Sequence, residues 1–389
     1  MGITFKFSDY ESFKAYLFLH KEINNKAEAE KVISDLLAVK DIWNTAYSPS
    51  KKDDCLPQIY ITLAEAYRVV GKYQDSIETL NDVLKILGTS DYQYYFEYRE
   101  VAYQLLSRVY CHQNERDKAI ESMNHSIYNT LQIVNRTHYD QFDFYSFRNV
   151  SDFSIADLKN NTISLCSPLE FNDPVDTALF PWLELKIMDA DNNVDRLYYE
   201  VLQAAYSNLR ARCFVRLLHL PLREGRDANK DKEEVGNTLM WSHYTKFHQG
   251  FCVKYQIPSN FTMESDGSIV RMFHEISYKE SFDPNDNMSF SDAFFTKSKD
   301  WEYEHEKRLI YFNSNGSESY PTQQLPNDCI KAVYMGLKCS EEDTKAIINA
   351  LEDKPDVKIF RMCLSRTDIY KIKAIEIDRQ KLPDIVYKI

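Results

Sequence analysis

Glycine is scarce in this 389-residue chain: nine occur, and no GxGxxG or GxxxxGK[ST] stretch is among them. That absence argues against a Rossmann- or P-loop-type phosphate cradle, whose loops need glycine where backbone N–H groups close on phosphate oxygens. Basic excess is missing too. With 47 Lys and Arg against 59 Asp and Glu, the formal charge is −12. General nucleic-acid binding through a basic face is therefore not expected, because phosphate neutralisation dominates that affinity. One local exception, Asn208 to Lys232, holds Arg210, Arg212, Arg216, Arg223, Arg226, Lys230 and Lys232 against three acids. It reads as a solvated helix-and-loop surface rather than a phosphate-binding patch. The eight cysteines form no CxxC pair, and several, such as Cys166 and Cys252, sit inside apolar runs. There a thiol serves as a small hydrophobe, which suits a reducing compartment better than a disulfide framework. No apolar run reaches membrane-spanning length, and the opening MGITFKFSDYESFK has no basic segment followed by an apolar one. The expectation is a cytoplasmic protein.

What is present is ordinary globular material: 44% hydrophobic and 27% charged residues, in a chain long enough for two domains. Residues 1–135 read as helical hairpins. In Ile59–Leu87, Tyr60, Leu63, Ala64 and Tyr67 form one apolar stripe, and Tyr73, Ser76, Ile77, Leu80 and Val83 the next, with Gly71 and Lys72 at the turn. The pattern returns in Val101–Ile127, through Tyr103, Leu106, Ser107 and Tyr110, then Ala119, Met123 and Ser126. The recurrence resembles tetratricopeptide repeats, although Tyr67 and Tyr110 lie 43 residues apart rather than the roughly 34 of a tight array. Both tyrosines are expected to be buried at equivalent positions. A more degenerate pair from about Asp9 to Tyr47 looks like a capping unit. Such an array suits a scaffold or protein-partner surface.

From residue 136 to 389 the chain reads as an α+β domain with a mixed or antiparallel sheet. Strand-like segments are FDFYSFRNV, NTISLCSPLEF, CFVRLL, FCVKY, SIVRMFHEISY, EKRLIYF, CIKAVYMGL, KIFRMCLS and YKIKAIEI. Helix-like segments are VSDFSIADLKNN, NVDRLYYEVLQAAYSNLRAR and SEEDTKAIINALED, and Asn172-Asp173-Pro174 is a turn.

Three constellations could carry chemistry. In MWSHYTKFHQGFCVKY, a short helix ending before Gly250 would set Trp241 and Tyr244 on one side, with Ser242 and His243 beside them. Taken alone, Trp241 and Tyr244 read as core with their polar tips bonded. His243, His248 and Cys252 match no zinc spacing, and burial in an apolar strand would raise the Cys252 thiol rather than activate it. In KSKDWEYEHEKRLIYF, a strand from Tyr303 would align Glu304, Glu306, Arg308 and Ile310 on one face. Two carboxylates and an Arg so placed suit a solvated edge better than a core, and they also suit a site that stabilises a cationic transition state. In FYSFRNV with SPLEFNDPVD, Arg148 lies in an apolar segment, Ser164 and Ser167 flank the next strand, and Asn172 and Asp173 follow.

These phrases, in this order, resemble a bacterial family catalogued only as domain of unknown function 2971. Its members show a Y-K-Y/F-R opening, a strand ending S-P-x-x-F-N-D-P, a W-S-H-Y…H-x-G-F-C block and W-x-Y-E-x-E-x-R. The resemblance spans roughly residues 142–375. Ser146 stands where the family usually has Lys, and Val175-Asp176 where Phe-Glu is common.

The order Arg148, then Ser164 or Ser167, then Glu304-His305-Glu306 is similar to the R–S–E pattern of ADP-ribosyltransferases. That similarity implies NAD as substrate, with Glu306 and Glu304 as catalytic carboxylates and Glu306 the essential one; His243 joins them as a candidate. It implies a cofactor-binding set of Tyr145, Arg148, Ser167, Asn172, Asp173, Trp241, Tyr244 and Arg308, with no metal. Arg148 would meet the pyrophosphate, and Tyr145, Trp241 and Tyr244 would sandwich a ring. Trp241, His243 and Tyr244 should then face Arg148, Asn172 and Asp173 across one cleft. The long interval from Ser167 to Glu304 would need a large helical insertion. The expectation is a bacterial effector of phage-defence or toxin type. A non-enzymatic protein- or nucleotide-binding module and a nuclease are the alternatives.

Overall fold

The computed structural model describes residues 23, 25–46, 56–88, 93–134, 143–215, 234–258, 261, 268–283, 290–316, 321–368 and 370–378. The first part of the expected Asp9–Tyr47 pair, residues 9–22, and most of the basic Asn208–Lys232 segment lie outside the described residues. Among the described helices none is long and apolar enough to cross a membrane.

The chain divides into two compact units. The first holds residues Met1–Arg136 together with Phe180–Asn208 and Asn313–Gly316. Its helices are α1 (Lys26–Ala46), α2 (Leu56–Val69), α3 (Tyr73–Leu87), α4 (Gln93–His112), α5 (Arg116–Val134), α7 (Leu179–Met188) and α8 (Asn193–Tyr206). α2/α3 and α4/α5 are hairpins whose turns are superimposable in their bonding. Lys72 N–H donates to Tyr67 C=O at 2.8 Å, and Glu115 N–H donates to Tyr110 C=O at 2.9 Å. Gly71 (φ 81°) and Asn114 (φ 59°) supply the left-handed residue that each reversal requires. Tyr67 and Tyr110 thus occupy equivalent places. They are half-buried rather than buried, and a lysine lies over each ring, Lys72 at 6.0 Å from Tyr67 and Lys118 at 5.6 Å from Tyr110.

The N-terminal stretch of the first unit ends at Arg136, and α7 and α8, which the sequence reading put with the α+β part, group with the first unit. α7 was missed because its apolar run, LFPWLELKIM, shows almost no helical periodicity. These two helices form a helical insertion within the Ser167–Glu304 interval.

The second unit contains an eight-stranded mixed sheet. Its strands are β1 (Asp143–Arg148), β3 (Arg210–Val215), β4 (Phe251–Gln256), β5 (Ile269–Glu275), β8 (Glu306–Asn313), β10 (Ile330–Met335), β11 (Lys358–Leu364) and β12 (Ile372–Glu376), in the order β12-β11-β10-β4-β1-β3-β8-β5. β10 and β11 are parallel, and α11 (Glu341–Ala350), capped by Ser340, lies between them in sequence. Short pairs β2 (Thr162–Ser164) with β9 (Thr322–Gln324), and β6 (Ser277–Lys279) with β7 (Thr296–Ser298), stand apart from the sheet. SIVRMFHEISY is therefore two strands, and NTISLCSPLEF only three residues of strand before a 3-10 turn at Pro168–Glu170.

Period-two alternation divides the sheet's side chains between two cores. Phe144, Phe214, Val253 and Leu309 pack with Leu158 of α6 (Asp152–Asn160) and Ile347 of α11. Tyr145, Phe147, Val215 and Cys252 pack with Met240 and Trp241 of α9 (Thr238–Tyr244). The remaining short helix of this unit is α10 (Phe290–Phe294).

Candidate functional site

β1 pairs with β4 along its whole length, from Asp143↔Gln256 to Arg148↔Phe251, whereas among the described residues it meets β3 at Tyr145↔Val215 and is not paired with it from Ser146 to Arg148. From that pair toward Arg148 and Arg212 the two strands splay apart. A cavity of about 780 Å³ lies in the fork, lined by Tyr145, Phe147 and Arg148 of β1 and by Arg212 to Val215 of β3. Side chains from both faces of the sheet thus reach one space. Arg212 spans the gap, donating through Nε and Nη2 to Ser146 Oγ at 3.3 and 3.1 Å. The end of β1 is set by Gly250, where an added Cβ would stand 2.0 Å from the Arg148 carbonyl oxygen.

Arg148 is buried and donates through Nη2 to Asp157 Oδ2 at 2.6 Å. Asp157 in turn accepts from Thr162 Oγ1, Ser164 N–H and Ser164 Oγ at 2.8 to 3.1 Å. Asp157 is delivered by α6, which starts at a capping box of Ser151 and Ser154.

The opposite wall is a buried ionic network. Arg308 binds Asp176 through Nη2 at 2.6 and 2.7 Å, and Glu306 Oε1 through Nε at 2.6 Å. Lys297 Nζ lies 2.7 Å from Glu304 Oε2, 3.1 Å from Glu306 Oε2 and 3.3 Å from Asp176 Oδ2. Tyr244 Oη donates to Glu304 Oε1 at 2.6 Å. Glu304 and Glu306 are 2% and 3% exposed and Arg308 is fully buried, so the solvated-edge expectation for these residues is overturned. They are not one strand either. Lys299–Glu304 is a 3-10 turn capped by Ser298, His305 is left-handed at φ 44°, and β8 begins at Glu306. The left-handed step turns Glu304 back so that both carboxylates reach Lys297.

The two glutamates differ in proton affinity. Burial pushes the Glu304 carboxyl up, more than the neighbouring Lys297 pulls it down. Burial acts on Glu306 in the same sense, but Arg308 and then Lys297 outweigh it and bring Glu306 to about 2. Burial, and after it Glu306, raise the Cys213 thiol well above its ordinary range, so this cavity-lining cysteine is no thiolate nucleophile. Among the described residues no group of three His, Cys, Asp or Glu could hold a metal ion. The carboxylates that do meet have Lys297 and Arg308 between them.

Of the residues singled out in the sequence, Tyr145, Arg148, Asn172, Tyr244, Glu304 and Glu306 line the cavity, with Arg308 behind Glu306. Four others do not line it. Trp241 is wholly buried, its indole N–H bonded to Val235 C=O at 2.6 Å and its ring edge-on to Phe147. It is core because α9 turns that side inward. His243, two residues further along and hence on the opposite side of the helix, is exposed and stands 5.6 Å from the Trp301 ring. Ser167 caps Leu169 N–H, and Asp173 accepts from Val175 N–H at 3.0 Å. These two shape the turn whose product is Asp176, folded back onto Arg308. Asp176, Lys297, Arg212 and Phe171, over whose ring Arg308 sits at 5.0 Å, were not assigned to the site from sequence. Asp176 carried a signal, as the acid closing the SPLEFNDPVD phrase; Lys297 and Arg212 carried none.

Compared with protein-family models, curated proteins and solved structures, the chain matches none.

Proposed function

We propose that the cavity binds NAD and breaks its nicotinamide–ribose bond, releasing nicotinamide and passing ADP-ribose to water or to an acceptor. One observation supports this above the others: two buried carboxylates with opposed proton affinities face a cavity that also presents arginines. Cleavage sends the bonding electron pair to nicotinamide and leaves positive charge on the ribose ring. The ionised Glu306 stabilises that charge. Glu304, the more basic carboxylate, takes the proton that water or the acceptor loses on attack. Arg308 and Lys297 keep Glu306 ionised and oriented, and Tyr145 and Tyr244 offer aromatic faces to the ligand.

Around that site we place a bacterial effector of phage-defence or toxin type, resembling the domain of unknown function 2971 family and acting in the cytoplasm. Its tetratricopeptide-like hairpins serve as a sensor or scaffold that binds a protein partner. The repeated turns at Tyr67 and Tyr110 support the repeat, since one bonding pattern recurs after 43 residues.

A non-enzymatic nucleotide-binding module is the second candidate, favoured by the fact that each of the three carboxylates is already held by a cation. Incubating the purified chain with NAD labelled in the adenosine part separates the two. Release of nicotinamide, or label on an acceptor, supports the transferase or hydrolase; tight binding without turnover supports the module.

A further inference from the structure

Two guanidinium groups line the cavity, and they are not equivalent. Arg148 is committed to Asp157, itself fixed by Thr162 and Ser164. Arg212 has no carboxylate at ion-pair distance among the described residues; its bonds go to the neutral hydroxyl of Ser146. A guanidinium carries five N–H donors in a fixed fork, so one hydroxyl oxygen leaves most of them available to the cavity. The surroundings also disfavour its charge: burial, and next to it Arg148, lower the Arg212 pKa to about 10. An incoming anion would relieve that repulsion.

The position is informative as well. Arg212 lies three residues along β3 from Val215, the partner of Glu306 in β8, a span of about 10 Å at strand rise. Three residues put Arg212 on the other face of the sheet from Glu306, but both line the one cavity in the fork. A ligand whose ribose sits at Glu306 can thus extend its next substituent, the diphosphate, through the fork to Arg212. Arg148, expected from the sequence to meet the pyrophosphate, is the supporting cation: it holds α6 and β2 in place and supplies background positive charge.

We infer that Arg212 is the anion anchor of the cavity, taking the diphosphate of a nucleotide ligand through bidentate N–H···O bonds. This assignment rests on the nucleotide reading of the cavity, but it concerns binding and not cleavage. The test is isothermal titration of ADP and of adenosine into the full chain, as wild type, Arg212→Gln and Arg212→Lys, with circular dichroism to verify folding. Charge-assisted bonds of this kind correspond to a weakening of about 10- to 100-fold. ADP should bind Arg212→Gln more weakly by that factor and Arg212→Lys by less, while adenosine binds all three alike. Equal ADP affinity for wild type and Arg212→Gln would overturn the inference, as would an equal loss for adenosine or no ADP binding to wild type. Arg212-dependent ADP binding with no NAD cleavage would count against the proposed chemistry alone.

Discussion

Replacing Lys297 by Met removes the cation that three buried carboxylates share. The thioether keeps most of the stem's volume and its packing over Trp301, whose ring lies 4.8 Å from Nζ, so the change is chiefly one of charge. In the native network Asp176, Glu304 and Glu306 face Lys297 and Arg308, three negative charges against two positive. Without Lys297 the balance is three against one, and Glu304 retains only the Tyr244 hydroxyl. Breaking a buried ion pair by deleting one partner costs about 3–5 kcal/mol, because the remaining charge is left desolvated and unpaired. The loss should depend on pH. Glu304 already holds its proton more tightly than a free carboxyl, and loss of Lys297 raises that affinity further. A carboxyl whose folded-state pKa is raised contributes stability at low pH that is lost as pH rises through the raised value. The gap between Lys297→Met and wild type should thus be largest at pH 7.5 and narrower at pH 5. Urea titrations followed by the fluorescence of Trp241 and Trp301, both in the sheet-containing unit, measure it. A cost under about 1 kcal/mol, or a gap unchanged between the two pH values, would refute the assignment of this network as a coupled ionic wall.

Wild type should itself lose stability as pH falls from about 4.5 to about 2, because Glu306 is depressed over that interval. The contribution at stake is on the order of 3 kcal/mol, and it should be absent from the acid limb of Glu306→Gln in the same urea assay. Gly250→Ala should cost at least about 1–3 kcal/mol and weaken ligand binding as well, since its methyl would meet the Arg148 carbonyl at 2.0 Å and push the end of β1. Urea titration and ADP titration of that variant check both effects, and wild-type behaviour in both would show that the backbone crossing tolerates a side chain.

Much of the fold was legible because periodicity declared it. The hairpins at Gly71 and Asn114, the Ser151-capped helix and most of the sheet strands follow from apolar spacing and turn chemistry. The parts that were not legible depend on long-range contacts. Nothing local distinguishes Lys297, in the strand TKS, from a surface lysine, yet it is buried among carboxylates from three segments. Glu304 and Glu306 look like an exposed edge because charge alone signals solvent; the compensating Arg308 was visible, but Lys297 and Asp176 became partners only through the tertiary fold. Trp241 and His243 erred in the other direction. An aromatic, polar-rich phrase suggested a pocket, while α9 turns Trp241 into the core and leaves Tyr244 to reach the cavity. The fork between β1 and β3 had no sequence signal at all, since strand registers arise from pairing and not from the composition of either strand.

The central claim, that Glu306 stabilises a cationic ribose, is tested most directly by nicotinamide release from NAD by wild type and by Glu306→Gln. The amide keeps the size and one hydrogen-bond acceptor but removes the charge. With both proteins folded by circular dichroism, wild type should turn over NAD and Glu306→Gln should be slower by roughly 100- to 1000-fold, as is usual when one well-placed electrostatic contact is lost. Undiminished release by Glu306→Gln, or none by wild type, would contradict the claim.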